Sequence, residues 1–221
     1  MGVKVCGIRD AAAFDAAVGA GANWVGFVFF PPSPRAVTPG EAAQISRRRE
    51  GGPGRVGLFV SPSDADVAAV LDAIPLDALQ LYGTAERAAE LHARFGLPVW
   101  RAVGVAARAG LPGREAGIDR VVVEAKAPPG ATRPGGNAVP LDWPLLAGWT
   151  APVPWLLAGG LTPDNVTRAI RASGAEAVDV SSGVERAPGR KDPALIRAFV
   201  HAAKSARRAA QTGEERAEQG G

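Results

Sequence analysis

Short apolar runs recur at fairly even intervals along the chain, and alanine-rich stretches with the period of an α-helix lie between most of them. Runs of this length, rich in valine, leucine and aromatic side chains, are typical of strands. The eight predicted strands are residues 3–6, 24–30, 56–60, 78–81, 99–103, 120–124, 155–157 and 177–180. The predicted helices are residues 10–20, 39–49, 63–73, 85–95 and 163–172, with a weaker one over 106–117.

This alternation of strands and helices predicts an α/β protein built from parallel βα units. Eight strands in a chain of 221 residues favour a single closed (β/α)8 TIM barrel, at the short end of its size range. The alternative is a doubly wound open sheet, which would carry a glycine fingerprint after its first strand. The turn here reads CGIR at residues 6–9 and lacks that fingerprint. We expect the barrel over residues 1–204 and a polar, disordered tail over 205–221.

The composition argues against several classes of function. The net charge is +3, and no stripe of lysine and arginine alternates with aromatic side chains, so we expect no nucleic-acid partner. No apolar run reaches the roughly 18 residues of a membrane span, and we see no signal peptide. His92 and His201 have no partners at a metal-ligand spacing, so we expect no metal site. With one cysteine and no targeting segment, a reducing cytoplasm is the expected compartment.

Polar side chains interrupt strands that a barrel would bury on both faces. If they share the interior face, they converge near the carboxyl ends of the strands, where barrel enzymes carry out their chemistry. Two other interpretations stay open. Lys4 and Asp179 could form an internal ion pair, and Cys6 taken alone could be an inert buried thiol. The interrupting residues are Lys4, Cys6, Gln80, Arg101, Glu124 and Asp179.

Glycine- and serine-rich loops follow the last two predicted strands. The glycines after the seventh strand allow the backbone to approach a ligand closely, and Thr162 suits the N-cap of the next helix. The turn after the eighth strand exposes amides that suit an oxyanion. Loops in these two places form the usual phosphate site of the fold. The predicted phosphate-binding residues are Gly159, Gly160, Ser181, Ser182 and Gly183.

Motifs spread along the chain fit one pattern. They are KVCGI at 4–8, GFVF at 26–29, SPR at 33–35, VGLFV at 56–60, LQL at 79–81, LAGGL at 157–161, NV at 165–166, VDVSSGVE at 178–185, PG at 188–189 and KD at 191–192. Together they resemble the phosphoribosylanthranilate isomerase family, over about residues 3–200. The first and last motifs rarely occur together elsewhere, so the resemblance is specific.

The resemblance implies a (β/α)8 isomerase of tryptophan biosynthesis that needs no cofactor. The family converts N-(5′-phosphoribosyl)anthranilate into 1-(o-carboxyphenylamino)-1-deoxyribulose 5-phosphate, an Amadori rearrangement by general acid–base catalysis. The resemblance implies that Cys6 is the general base that removes the proton from ribose C2′. It also implies that the acid on the sixth strand, Glu124 here, protonates the furanose oxygen. It also implies that Arg35 holds the anthranilate carboxylate and that Asp179 faces the ribose and the amine.

This chemistry sets opposite demands on the two groups. A thiol with a pKa of about 8.5 is a poor base until that pKa is lowered. We expect Lys4, which shares a strand face with Cys6, or the cationic Schiff base of the substrate to stabilise the thiolate. The acid needs a raised pKa to donate a proton at neutral pH, and an apolar site would supply it.

Three places depart from the family's pattern. Glu124 stands where the family has aspartate, which moves the carboxyl by roughly an ångström. Tyr82 stands where the family has histidine, and residues 135–138 read Gly-Gly-Asn-Ala where it usually has Gly-Gly-Thr-Gly. Two alternatives therefore stay open: an isomerase of a related aminosugar phosphate, and a catalytically weak phosphosugar-binding barrel. The expected partner is a small phosphorylated aminosugar, and the expected state is a monomer or a homodimer.

Overall fold

The computed structural model describes the backbone of residues 1–137 and 139–218, and side chains through residue 206. Over these residues, eight parallel strands close into a barrel in sequence order, with β8 paired to β1. The predicted (β/α)8 fold is therefore confirmed. The strands are β1 Gly2–Cys6, β2 Trp24–Val28, β3 Gly54–Val60, β4 Ala78–Tyr82, β5 Val99–Val105, β6 Arg120–Ala125, β7 Trp155–Leu157 and β8 Ala177–Val180.

Helices cover the outside of the barrel, and local side-chain bonds fix where several of them begin. Asp10, Thr38 and Ser63 each accept a hydrogen bond from the backbone N–H three residues further on, as N-caps do. The helices are α1 Ala11–Ala20, α2 Pro39–Ser46, α3 Asp64–Ala73, α4 Ala85–Phe95, α5 Val166–Ser173 and α6 Pro193–Glu218.

After β5 and β6 the described residues form short 3₁₀ turns in place of helices. The weak helix expected over 106–117 is reduced to the turn Arg108–Gly110, in a segment that glycine interrupts. The turn after β6, Trp143–Leu146, is soon followed by Gly148, whose φ angle of 66° lies in the left-handed region and is not helical. A two-stranded hairpin, β9 Glu185–Ala187 and β10 Arg190–Lys191, follows β8.

The helix after β7 begins later than the sequence predicts. α5 starts at Val166, and Asn165 rather than Thr162 precedes it. The Asn165 side chain accepts a hydrogen bond from the Thr162 N–H at 2.8 Å and donates one to the Gly160 carbonyl at 2.9 Å. The prediction of Thr162 as an N-cap was wrong, because these bonds fold the segment into a loop that holds Gly160 in place.

The last helix crosses the domain boundary expected at residue 204. α6 packs against α1 and α5, and its Phe199, Val200 and Ala203 are fully buried. The backbone stays helical through Glu218, while residues 219–221 lie outside the described residues. The predicted disordered tail therefore stays a prediction. Among the described helices, none is both long and apolar enough to span a membrane.

Aromatic and cationic side chains fill the barrel at the amino-terminal ends of the strands. The Arg120 guanidinium lies 5.2 Å from the centre of the Trp24 ring and 5.4 Å from that of Trp100. The two indoles meet edge to face, with their centres 5.2 Å apart. All three residues stand at the first or second position of their strands. Since this end is packed, a ligand site belongs at the carboxyl ends of the strands.

Arg101 does not join the interior polar residues. Its neighbours Trp100 and Ala102 pack inside the barrel, so the alternation of a strand directs Arg101 to the outer face. There its guanidinium pairs with Glu115 at 2.8 Å and donates a hydrogen bond to the Gly83 carbonyl. The condition that the interrupting residues share the interior face is therefore not met by Arg101, which instead ties β5 to the neighbouring loops.

Candidate active site

A cavity of about 70 Å³ lies at the carboxyl ends of the barrel strands. Cys6, Gln80, Glu124 and Asp179 line it from β1, β4, β6 and β8. The loops after β6, β7 and β8 form its rim. Four of the polar residues that interrupt the strands therefore converge in one cavity, and the predicted phosphate loops border it.

Cys6 is the only cysteine of the chain, and its side chain is buried, with 3 % of the residue exposed. Burial and the Asp179 carboxylate raise the pKa of the Cys6 thiol, the ammonium groups of Lys4 and Lys191 lower it, and the pKa ends above its ordinary value. Lys4 therefore stabilises the thiolate, in keeping with one of the two expectations from the sequence, but burial outweighs this effect and the thiolate needs further stabilisation. The cationic Schiff base of a substrate remains as the expected source of that stabilisation.

Gly26 makes room for the thiol and its neighbour, although it was not among the predicted site residues. A Cβ atom at Gly26 would lie 2.8 Å from Cys6 Sγ and 3.2 Å from Lys4 Nζ. Gly26 pairs directly with Cys6 across β1 and β2. The available signal was a glycine in the middle of an apolar strand, which often marks a close approach.

Lys4 and Asp179 form the internal ion pair that was one interpretation of the sequence. They face each other where β1 and β8 pair, and Lys4 Nζ donates to both carboxylate oxygens at 3.0 and 3.1 Å. Burial lowers the pKa of Lys4, but Asp179 and Cys6 raise it by more, so it ends above its ordinary value. Because Asp179 also lines the cavity, this ion pair fixes a charged group at the site.

Glu124 is 5 % exposed, and it meets two hydrogen-bond donors. Burial raises the pKa of Glu124 to about 7, although bonds from the Tyr82 hydroxyl and the Gly136 amide lower it. The Tyr82 oxygen lies 2.5 Å from Glu124 Oε1. A carboxyl group with this pKa is present in both protonation states at neutral pH, so it can donate a proton, as expected of the strand-six acid.

Arg35 already has a carboxylate partner within the protein. Its Nε and Nη2 donate to Glu185 at 2.7 and 3.0 Å, and both side chains are buried. Lys191 Nζ donates to the same carboxylate at 2.8 Å. Glu185 therefore occupies the two guanidinium nitrogens that could have bound both oxygens of the anthranilate carboxylate. Only Nη1 of Arg35 lies outside this pair. Arg35 does line the cavity, so its contact with substrate stays a prediction that involves Nη1.

The predicted phosphate loops lie against each other. Gly159 and Gly160 have φ angles of 85° and 61°, in the left-handed region that favours glycine. A Cβ atom at Gly183 would overlap the carbonyl oxygen of Leu161. Residues 182–184 form a 3₁₀ turn that begins beside the cavity. The Ser181 hydroxyl donates to the Cys6 carbonyl at 3.2 Å, which joins this loop to β1.

We expect Gly183→Ala to lower the free energy of unfolding by about 1–3 kcal/mol and to raise KM for a phosphorylated substrate. The added methyl group forces the loops after β7 and β8 apart, because no flexible side chain can yield there. Gly40→Ala is the control, since Gly40 lies in α2 and an added methyl group there would have no atom within 4 Å. Denaturant unfolding and initial rates check both variants. A Gly183→Ala variant with the stability and KM of the wild type would refute the close contact between residue 183 and the Leu161 carbonyl.

Gln80 is buried and has a carboxamide oxygen with no hydrogen-bond partner among the described residues. Its side chain lines the cavity beside Tyr82. A buried polar atom without a partner usually meets water or a ligand. Gln80 is therefore a candidate contact for a substrate, which its place in a strand suggested without giving a role.

Comparisons with known proteins agree with this geometry. A family model described as N-(5'phosphoribosyl)anthranilate (PRA) isomerase matches residues 3–202. The N-(5'-phosphoribosyl)anthranilate isomerase of Acidiphilium cryptum is 57 % identical over 203 residues, covering 92 % of this chain and 98 % of that protein. The match thus extends over the whole barrel.

Solved structures give the same result. A phosphoribosyl anthranilate isomerase in complex with reduced 1-(o-carboxyphenylamino)-1-deoxyribulose 5-phosphate is 32 % identical with a TM-score of 0.78, covering 93 % of this chain and 99 % of that one. Monomers made from the dimeric enzyme of Thermotoga maritima are 33 % identical with a TM-score of 0.77, covering 93 % and 99 %. The resemblance read from the motifs is confirmed, and the chain belongs to the N-(5'-phosphoribosyl)anthranilate isomerase family.

Proposed function

We propose that this chain isomerises N-(5′-phosphoribosyl)anthranilate to 1-(o-carboxyphenylamino)-1-deoxyribulose 5-phosphate in tryptophan biosynthesis, with Cys6 as general base and Glu124 as general acid. Membership of the family supports the reaction. The observation that carries the assignment of residues is the cavity that a thiol and a carboxyl of raised pKa line together. The thiol and the carboxyl belong to β1 and β6, and β7 and β8 lie between those strands in the barrel.

The reaction starts with ring opening. Glu124 gives its proton to the furanose oxygen, the bond from that oxygen to C1′ breaks, and the nitrogen lone pair forms a C1′=N Schiff base that is cationic. The Cys6 thiolate then takes the proton from C2′. The electrons of that C–H bond form C1′=C2′, and the Schiff-base pair returns to nitrogen. Tautomerisation of the resulting enolamine gives the ketone product.

Charged groups around the cavity fit the changes in charge along this path. The Asp179 carboxylate, held by Lys4, would stabilise the cationic Schiff base. That same cation would stabilise the Cys6 thiolate, which burial otherwise disfavours. Arg35 Nη1, which lies outside the pair with Glu185, would contact the anthranilate carboxylate. The carboxamide oxygen of Gln80 would meet a hydroxyl or amine of the substrate.

The substrate phosphate is assigned to the loops after β7 and β8. Backbone amides of Gly160, Ser182 and Gly183 would hold its oxygens, as amides at the start of a turn do for anions. All groups given a role come from one chain, so the proposed activity needs no second copy, and monomer and homodimer both stay compatible with it. A reducing cytoplasm is the proposed compartment, because the base is a free thiol.

The reaction is tested by mixing purified protein with freshly made phosphoribosylanthranilate and following the loss of anthranilate-type fluorescence. We expect decay far above the spontaneous rate. An aminosugar phosphate without the anthranilate ring serves as the competing substrate. Absence of any acceleration would overturn the proposed function, and a clear preference for the competing substrate would replace it with the related isomerase.

We expect kcat/KM to follow a bell-shaped pH profile in which the two ionisations occur in reverse order. The productive enzyme has an ionised Cys6 and a protonated Glu124, yet the pKa of Glu124, about 7, lies below the raised pKa of Cys6. The productive form carries one proton in total, so it is a small fraction of the singly protonated enzyme. That enzyme forms as pH passes about 7 and is lost above the pKa of Cys6, so activity rises at about pH 7 and falls above the pKa of Cys6. Initial rates between about pH 5 and pH 10 measure this profile. Constant kcat/KM across about pH 6–8 would contradict it.

A further inference from the structure

Tyr82 and Glu124 meet directly, although neither the spacing nor the motifs of the sequence linked them. Tyr82 is the last residue of β4, and its hydroxyl oxygen lies 2.5 Å from Glu124 Oε1 on β6. The two positions are 42 residues apart. Both side chains line the cavity. Tyr82 is also the only tyrosine in the whole sequence.

The loop after β6 packs onto this pair. A Cβ atom at Gly135 would overlap the Tyr82 hydroxyl and would lie 2.5 Å from Glu124 Oε1. The next amide, that of Gly136, hydrogen-bonds to the Glu124 carboxyl. Only a residue without a side chain allows the loop to sit this close. The pair is therefore packed between β4, β6 and this loop, on the wall of the cavity.

Donors and charges approach Glu124 from four directions. Tyr82 from β4 and the Gly136 amide stabilise its ionised form, as does the Lys4 ammonium on β1. The Asp179 carboxylate on β8 favours the protonated form. The pKa of Tyr82 is raised well above its ordinary value by burial and by Glu124, so its hydroxyl keeps its proton. Tyr82 is therefore a hydrogen-bond donor to Glu124 and not the group that ionises.

We propose that Tyr82 is a positioning residue for the acid: its hydroxyl holds Oε1 of Glu124, so that the transferable proton is carried on Oε2. A carboxyl oxygen that accepts a hydrogen bond from a neutral phenol cannot also direct a proton along that bond. The proton of the neutral acid therefore resides on the other oxygen. Residues 135–136 pack against the pair. This inference rests on the proposed function, because it assigns Tyr82 a part in the same proton transfer.

The single tyrosine allows a test that does not depend on activity. Protein labelled with carbon-13 at the tyrosine Cζ gives one resonance, which we follow by NMR across about pH 5–9. The expected result is one step in chemical shift with its midpoint near pH 7, because the hydrogen bond strengthens when Glu124 ionises. Glu124→Gln is the control, and the step should vanish in it. A flat titration curve, or a step that survives in Glu124→Gln, would overturn the proposal.

Kinetics of Tyr82→Phe test the positioning role. Loss of the hydroxyl should lower kcat about 10-fold, and it should move the rising limb of kcat/KM to higher pH, since removing a donor to a carboxylate raises its pKa. In a Glu124→Gln background the same substitution should cost nothing further. If kcat falls but the rising limb of kcat/KM stays at the same pH, Tyr82 contributes only packing and its positioning role is refuted. The wild-type protein could instead show the step in the tyrosine resonance at about pH 7 and have no isomerase activity. That result would overturn the proposed function and leave the hydrogen bond between Tyr82 and Glu124 in place.

Discussion

Cys6→Ser should lose about 10³-fold in kcat for the isomerisation while the barrel stays folded. Serine keeps the size of the side chain, but its hydroxyl ionises far less readily than a thiol, so no base of useful strength remains at C2′. The buried site amplifies the loss, because burial already opposes the charged form of residue 6. Initial rates under saturating substrate measure the effect. Circular dichroism and thermal unfolding check the fold.

The matched control for Cys6→Ser is binding of a non-reacting product analogue. Cys6 has no assigned contact with the phosphate or the carboxylate, so the affinity of the analogue should change little. Because Cys6 is the only cysteine, the ultraviolet absorption of its thiolate can also be titrated directly in the wild type. A Cys6→Ser variant with the kcat of the wild type would exclude Cys6 as the base.

Glu124→Gln has the second large expected effect, a loss of about 10²–10⁴-fold in kcat. The amide keeps the shape of the side chain and still accepts the hydrogen bond from Tyr82, but it has no proton to give to the furanose oxygen. The rising limb of the pH profile near pH 7 should disappear with it, because that limb reports the ionisation of Glu124. Retention of both rate and limb would show that another group is the acid.

Glu124→Asp tests whether the site is fitted to glutamate or whether glutamate is a poorer acid here than aspartate would be. The shorter side chain withdraws the carboxyl from the Tyr82 hydroxyl and the Gly136 amide, which both meet it in this chain. We therefore expect a loss of about 10–100-fold, since a misplacement of about an ångström has effects of that size. A gain in activity would show that glutamate is the poorer acid here and that the site is not fitted to it.

The fold and the placement of the strand residues could be predicted from the sequence because each rests on local pattern. Apolar runs define strands, and the period of two along a strand brings Lys4, Cys6, Glu124 and Asp179 to the interior face. The register of β8 against β1 places Lys4 opposite Asp179, in keeping with the ion pair that the sequence allowed. Arg101 does not share that face, because alternation along a strand directs every second residue outward whatever its polarity.

Two other side-chain pairs between distant parts of the chain could not be predicted. Glu185 lies 150 residues from Arg35, and only closure of the barrel brings them together, where their pairing removes the guanidinium face expected for substrate. The contact of Tyr82 with Glu124 is hidden in the same way, although both residues stood out as departures from the family's pattern. The loop before α5 was missed because Asn165 bonds within the loop in competition with the helix.

A single-turnover experiment on wild type, Cys6→Ser and Glu124→Gln side by side tests the assignment of base and acid without interference from product release. Enzyme in excess is mixed with phosphoribosylanthranilate, and the decay of anthranilate-type fluorescence is recorded. We expect fast decay for the wild type and decay slower by about 10²-fold or more for both variants. Decay at the wild-type rate in either variant would contradict the assignment of Cys6 and Glu124 as the base and the acid.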